Sequence, residues 1–530
     1  MRRAPSIILL LASLSPAARA DTGWLDRFDL DTGRTPRKPR EAGVVRLQVH
    51  GEYQLRGTLS SDTPLAAPLS QPGATTLGQR RYVSHWHRLE LRAQVSDKVE
   101  LVGQLDMPRG FVGQTTRGVG LAAEPYDEQN PARIDPRWLY LDVWTPVGLV
   151  RVGHQPNHFG MGMLANDGDH PSLFADYSRG DVSERVLFAT RPLGASSPWA
   201  VFLAGDVVYR DANASLADGD RALQGLVGTL LGDEHDQLGA FFVLRDQRRD
   251  RDNGQPAGAT YREFLRVRAL DVNGRFHGRA RGVPGFFFGE AEAAGIWGTT
   301  NVTRTVAQAR TGEPERLRTF GAAARVGFAR EARGGTARYA DVTAAVAWGY
   351  ATGDADPYDG VTRRFVMNPN FNVGLVLFDH VLAWKTARAA TAASDPLLLN
   401  RAPPGVDRLP TNGGVAGATY VNPTLVYRPR PTLDLKAGVL FASATADVVD
   451  PYQTAVRGSY ANFDGGRARN RDLGVELDGG VEWRVPLDFG MSAQLGAQAG
   501  VLFPGKALAD AAGTRPAPQH LSMLRLGFQY

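Results

Sequence analysis

The chain is 530 residues long, 43% hydrophobic and 22% charged, with 60 glycines, 33 prolines and no cysteine. Disulfide scaffolds, thiolate metal centres and thiol nucleophiles are excluded outright, and the apolar content excludes disorder over the whole length. The 60 basic and 55 acidic residues leave a formal charge of +5, too small over this length to imply nucleic acid as a partner.

At the N-terminus, Arg2 and Arg3 precede an apolar run from Ile7 to Leu14, and Ala18-Arg19-Ala20 has the small-x-small pattern that signal peptidases read. Residues 1–20 are therefore expected to be a signal peptide, residues 21–42 a periplasmic leader and residues 43–530 the folded body. The apolar run is shorter than the roughly 20 residues a helix needs to cross a bilayer.

The first strongly periodic stretch sets the fold class. Val45, Leu47, Val49, Gly51, Tyr53 and Leu55 alternate with Arg46, Gln48, His50, Glu52, Gln54 and Arg56, a strict period of two. Soluble strands average about 5 or 6 residues, whereas a tilted membrane strand needs about 9 to 11; a dozen alternating positions favour the second. The pattern recurs at Leu89, Leu91, Ala93 and Val95, at Val99, Leu101, Gly103 and Leu105, at Leu473 to Trp483 and at Phe489 to Val501. Eighteen strands are expected, beginning near residues 43, 82, 99, 137, 149, 184, 199, 222, 238, 260, 285, 319, 337, 416, 432, 470, 489 and 521.

Connections between them alternate in length. Ser96 to Lys98, Thr145 to Gly148 and Arg428 to Pro431 are short, whereas Gly57 to Arg81, His154 to Ser183 and Thr352 to Val415 are long. The expected fold is all-β: a transmembrane antiparallel β-barrel of about 18 strands in the bacterial outer membrane, with short periplasmic turns and long extracellular loops. The alternative is a periplasmic propeller or sandwich; a propeller would need blade repeats, and none is seen. Trp138, Tyr140, Trp144, Tyr209, Trp297, Trp348, Tyr350, Tyr427 and Trp483 lie near strand ends and suit interfacial girdles. The last strand, Leu524 to Tyr530, puts Leu524, Leu526, Phe528 and Tyr530 on one face; it resembles the C-terminal signal read by outer-membrane assembly machinery.

Leu149-Val150-Arg151-Val152-Gly153-His154-Gln155 resembles a strand of the alginate-export type of outer-membrane porin, with His154 where that family has Arg. Gly349-Tyr350-Ala351-Thr352-Gly353-Asp354-Ala355-Asp356-Pro357-Tyr358-Asp359-Gly360, followed by Phe365, Asn368 and Pro369, is similar to a strand end and Asp-rich loop of the same family. The resemblance implies an eighteen-stranded porin.

On strand parity, the expected channel-lining residues are Arg46, His50, Arg56, Arg88, Glu90, Arg92, Glu100, Asp106, Arg151, Arg266, Arg268, Glu290, Glu292, Arg325, Glu476, Glu482, Arg484 and Arg525. Their signs are mixed, so most are expected to pair across strands. The segment after the porin-like strand carries His158, Asp167, Asp169, His170, Asp176 and Arg179 and is the expected constriction loop, narrowing the pore if it folds inward. His158, Asp167, Asp169 and His170 match no metal-site spacing, so no metal and no cofactor are expected. Asp354, Asp356 and Asp359 lack the twelfth-position Glu of a calcium loop and read as a solvated turn. Further on, Val373, Leu377, Val381 and Leu382 recur along one helix face; a short helix packed on an external loop is expected, with a plug in the barrel as the alternative.

No hydrolase elbow, HExxH helix or phosphate loop is present, and the protein is not expected to be an enzyme. The expected function is passive passage of small hydrophilic solutes, or export of a polysaccharide, through the lumen, with outer-membrane lipid and the assembly machinery as partners. The alternatives are a barrel hydrolase acting on lipid or peptide, and a closed structural or adhesion barrel.

Overall fold

The computed structural model describes residues 45–530 except 68–75, 78–79, 113–133, 234, 252–260, 303–312, 335–336 and 394–409. The expected signal peptide and leader lie outside the described residues. The described chain is built from long strands: β1 (Arg46–Ser60), β2 (Arg80–Ser96), β3 (Val99–Phe111), β4 (Asp135–Thr145), β5 (Gly148–Pro156), β6 (Val182–Thr190), β7 (Trp199–Arg210), β8 (Arg221–Gly232) and β9 (Gln237–Arg251). These continue as β10 (Tyr261–Gly278), β11 (Gly285–Thr300), β12 (Glu315–Gly334), β13 (Ala337–Ala351), β14 (Val361–Thr362), β15 (Ala418–Arg430), β16 (Leu433–Ala444), β17 (Asp472–Pro486), β18 (Ser492–Pro504) and β19 (Gln519–Gln529).

Each strand pairs antiparallel with the next, β13 skips to β15, and β19 returns to β1 through Glu52↔Gln529 to Ser60↔Leu521, so the sheet closes on itself. The two-residue β14 pairs parallel with Arg316 and Leu317 at the start of β12 and adds no full strand to the wall. The wall therefore has the expected eighteen strands, each beginning within four residues of its expected start. Closure satisfies every strand's backbone through a neighbour, the condition a sheet must meet to lie in hydrocarbon.

Strand bounds leave two unlike rims. Eight connections of two to eight residues form one, and nine of nine to 66 residues form the other. The outer face between them is apolar by strict alternation: Leu203 of β7 and Val227 of β8 are register partners and are 57% and 55% exposed. Val49, Leu141, Val186, Leu244, Leu270, Val326, Leu425 and Leu477 continue the band around the barrel. Free exposure of so many aliphatic side chains is unfavourable in water, and in a bilayer it is the ordinary lipid face of a barrel.

Two expectations are corrected by the inner face. Trp297, Trp348, Tyr427 and Trp483 do stand on the outer surface, but Trp138, Tyr140 and Trp144 line the lumen. The helical stretch is not packed outside the barrel. A π-helical turn, Leu377–Leu382, runs into the helix Ala383–Ala393, and nearly every residue of both is buried. Val376, Leu377, Phe378 and Val381 pack with Tyr420, Leu440 and Leu502 on the inner wall of β15, β16 and β18. Further along, Lys385 donates to the Pro64 carbonyl and to Asp464 at 2.8 Å, while Trp384 packs with Leu65 and Leu77, so the segment crosses the long-loop mouth.

Replacing Val227 by Arg is expected to cost about 2–4 kcal/mol in vesicle unfolding titrations, the penalty of a cation at mid-bilayer depth. A cost near zero would put Val227 outside the hydrocarbon.

Candidate functional site

The loop between β5 and β6, residues 157–181, folds inward and crosses the lumen. Its backbone closes on itself through Asp181 N–H to Asn166 O (2.7 Å) and Ser178 N–H to Gly168 O (2.9 Å). Gly180 permits this fold: its φ is +68°, and a Cβ there would meet the Asp167 carbonyl at 1.8 Å. Inside a barrel such a loop leaves backbone donors to satisfy, and one wall carboxylate does much of that. Glu292 of β11 accepts the backbone N–H groups of Met161, Met163 (3.1 Å) and Leu164 (3.2 Å).

The far end of the loop is held by charge. Asp176 pairs with Arg56 of β1 and Arg525 of β19, about five strands around the wall from the loop's own strands. Asp169 pairs with Arg88 and, at 2.8 Å, with Arg137. Arg88 and Arg109 both hold Asp106 at 2.8 Å, and Arg179 holds Asp135 at 2.8 Å. Gln498 of β18 donates to the Phe174 carbonyl at 2.8 Å. Burial pushes the Asp176 carboxyl up, but Arg525 and Arg56 outweigh it and hold the group below its ordinary range.

The imidazoles of His158 and His170 stack at 3.9 Å, and Asp167 lies 2.9 Å from His170 Nδ1 and 3.6 Å from His158 Nδ1. The ligand atoms of these three side chains lie within 4.8 Å of one another, close enough to share a cation. Burial and the His170 ring push the His158 pKa down to about 4, so His158 is neutral at pH 7. Burial raises Asp167, but the two imidazoles prevail and leave it below the usual carboxylate range.

The plug is fastened in the same manner as the constriction loop. Glu476 of β17 accepts from the N–H groups of Leu375 (2.5 Å), Val376 (2.8 Å) and Leu377 (2.7 Å). The two inward segments also hold each other: Asn368 donates to Asp181 at 2.7 Å and its N–H to Met163 O at 2.7 Å. In the turn before the plug, Asp354, Asp356 and Asp359 accept backbone N–H groups of Arg363, Tyr358 and Val361, so the three carboxylates brace the turn from within.

What remains open is a cavity of about 2150 Å³ whose lining includes residues near the short-turn rim, such as Glu100, Trp144 and Ser492, and near the long-loop rim, such as Asp218, Asp354 and Asn412. Of the expected lining residues, His50, Arg56, Arg88, Glu90, Arg92, Glu100, Arg151 and Arg484 border it, as do all six constriction-loop residues. Asp106, Glu290, Glu292, Arg325, Glu476, Glu482 and Arg525 face inward but lie off the open space, held in pairs or beneath the loops. Arg46 has the inward register but sits exposed at the first position of β1.

Arg266 and Arg268 are misplaced by the expectation. In β10 it is Leu265, Val267 and Ala269 that line the cavity, and the two arginines stand on the outer face. Arg137 was not foreseen, because a register shift between Gln104 and Leu105 opposite β4 turns both Arg137 and Trp138 inward. Asp142, which holds Arg151 through two bonds of 2.7 and 2.8 Å, follows ordinary alternation and was legible as its partner.

No protein-family model and no curated protein matches the chain at a significant level. Among solved structures it is similar to Acinetobacter baumannii OccAB1, with 9% identity, a TM-score of 0.48 and coverage of 91% of this chain and 96% of that one. Similar figures hold for Pseudomonas aeruginosa OccK8 (OprE), at 9% identity, TM-score 0.47 and coverage of 91% and 98%, and for OccK9 (OpdG), at 12%, 0.48, 91% and 98%.

Two outcomes follow from these anchors. Glu292→Ala leaves three loop N–H groups without their acceptor and is expected to destabilise the loop by about 3 kcal/mol or more, read as increased cleavage within residues 157–181 by added protease. Protection equal to wild type would mean that Glu292 does not fasten the loop. The second concerns acid. Burial, then Arg80, also pushes His380 of the plug down to about 4. The released loops would bind protons near pH 6.5, so the stability these histidines confer is complete above 6.5 and is lost as pH falls toward 4. Protease protection of both segments should drop between pH 7.5 and 4.5, and less so in His158→Gln; a flat profile would count against it.

Proposed function

We propose that the protein is an outer-membrane channel through which small hydrophilic solutes diffuse. The observation that carries this reading is one continuous cavity, bordered by residues of both rims and narrowed by an inward loop. A lumen filled by its own side chains, as a structural or adhesion barrel would have, does not leave such a space. On this reading the short turns face the periplasm, residues 1–20 are an export signal, residues 21–42 a periplasmic leader, and Leu524 to Tyr530 the strand that the assembly machinery reads.

The charge of the wall argues about the solute. Among the described residues thirteen arginines and fourteen carboxylates border the cavity, which is close to neutrality. A channel for a polyanion requires a surplus of cations along its path, so small solutes are preferred to the exported polysaccharide that the resemblance of residues 149–155 and 349–360 suggests. Among the described residues no rim cluster recommends a hydrolase.

Single-channel recording in a planar bilayer tests the reading. Discrete ohmic steps with a small reversal potential under a salt gradient are expected. Asp176→Asn, which releases Arg56 and Arg525 from their shared partner, should shift the reversal potential toward anion selectivity. A folded, inserted protein that passes no current would overturn the channel.

A further inference from the structure

The arginines that turned out to face outward form a patch. Arg266 of β10 and Arg316 of β12 are both register partners of Thr299 on β11, and Arg268 and Arg318 are both register partners of Trp297. Four arginines thus stand in two adjacent rows across three neighbouring strands, with Trp297 at the centre, and all four are exposed. Sheet geometry sets the frame: about 7 Å between rows along a strand and about 10 Å between the two outer strands. The next outward row is apolar, with Leu270 (43% exposed) and Phe320 (44%) opposite Gly295.

The patch therefore sits at the upper edge of the lipid belt, on the long-loop side. Four guanidinium groups there cannot extend into hydrocarbon, where each would cost about 2–4 kcal/mol, and they turn toward the headgroup layer. Their countercharge within the protein is thin. Asp246 lies 3.2 Å from Arg266 and is shared with Arg248; among the described residues no carboxylate pairs with Arg268, Arg316 or Arg318. An aromatic ring at headgroup depth, framed by planar forks that match phosphate geometry, is suited to an anionic lipid head.

We propose that Arg266, Arg268, Arg316 and Arg318 bind the phosphate groups of a phosphorylated lipid of the surrounding leaflet, seated against Trp297. The spacing across the patch suits a headgroup bearing two separated phosphates, each bridged by two arginines. The inference rests on the membrane reading of the barrel and concerns its outer wall, so it is independent of whether the lumen conducts.

The test uses the full-length protein reconstituted in phosphatidylcholine vesicles with and without a diphosphorylated glucosamine lipid, and native mass spectrometry of the protein released into detergent. Wild type should keep one molecule of the phosphorylated lipid and melt at a higher temperature in its presence. The variant R266Q/R268Q/R316Q/R318Q should melt as wild type does in phosphatidylcholine alone but lose both the retained lipid and the shift. The milder R316Q/R318Q should lose most of the retention if the fourfold change impairs folding. Equal retention by wild type and variants, or by the dephosphorylated lipid, would overturn the proposal in favour of acyl-chain contact. Failure of wild type to enter vesicles would instead overturn the membrane reading.

Discussion

Two carboxylates on the barrel wall decide what the lumen is. Glu292 and Glu476 sit on the inner faces of β11 and β17, and each accepts three successive or near-successive backbone N–H groups from a loop that has turned inward. A loop inside a barrel gives up the solvent that would otherwise bond its backbone, and each orphaned donor costs about 1–3 kcal/mol. A carboxyl group is the most compact remedy, because its two oxygens can accept several N–H groups at one point on the wall. Without those acceptors both loops would favour water, and the barrel would be an open tube.

The same constraint couples the loops. The constriction loop is fastened at one end by Glu292 and at the other by Arg56 and Arg525 through Asp176, so it spans the lumen. The plug spans the mouth from the inner wall of β15 to β18 to the segment after β1, where Lys385 and Trp384 make their contacts. Asn368 bridges them. The narrowing is thus one braced assembly of two segments nearly 200 residues apart in sequence, and its shape depends on wall residues from strands far from either.

How much of this was legible follows from the range of the interactions. Alternation along Val45 to Leu55 or Leu473 to Trp483 is local, and it marks strand, lipid face and lumen face together; hence eighteen strands and most inward charges were readable. Parity fails where it is locally broken or ambiguous. A register shift turns Arg137 and Trp138 the same way, and the loop-proximal half of β10 carries charge on both faces, Glu263 inward and Arg266 and Arg268 outward. Loop direction was not legible at all. Nothing within residues 157–181 announces that Glu292 waits on a strand five places further round the wall, and Leu377 to Leu382 reads equally well as a helix on a loop or in a mouth.

The lumen's charge balance has a consequence for passage. Wall arginines are mostly held by carboxylates: Arg151 by Asp142, Arg185 by Asp206, Arg428 and Arg484 by Asp434. Pairing removes net charge from the wall without removing its polarity, since a guanidinium carries five N–H donors and a bidentate carboxylate occupies only two. A solute moving past such pairs finds alternating donors and acceptors in fixed positions, which can replace part of its hydration step by step, while no large potential attracts or repels it as a whole. Selection then falls to size and to the orientation of a solute's own dipole at the narrowing, where Asp169 and Asp176 on the loop pair directly with Arg56, Arg88 and Arg137 on the wall. The field beside those pairs is set by which side of the contact each charge stands on, and that is fixed by the inward fold that Glu292 holds.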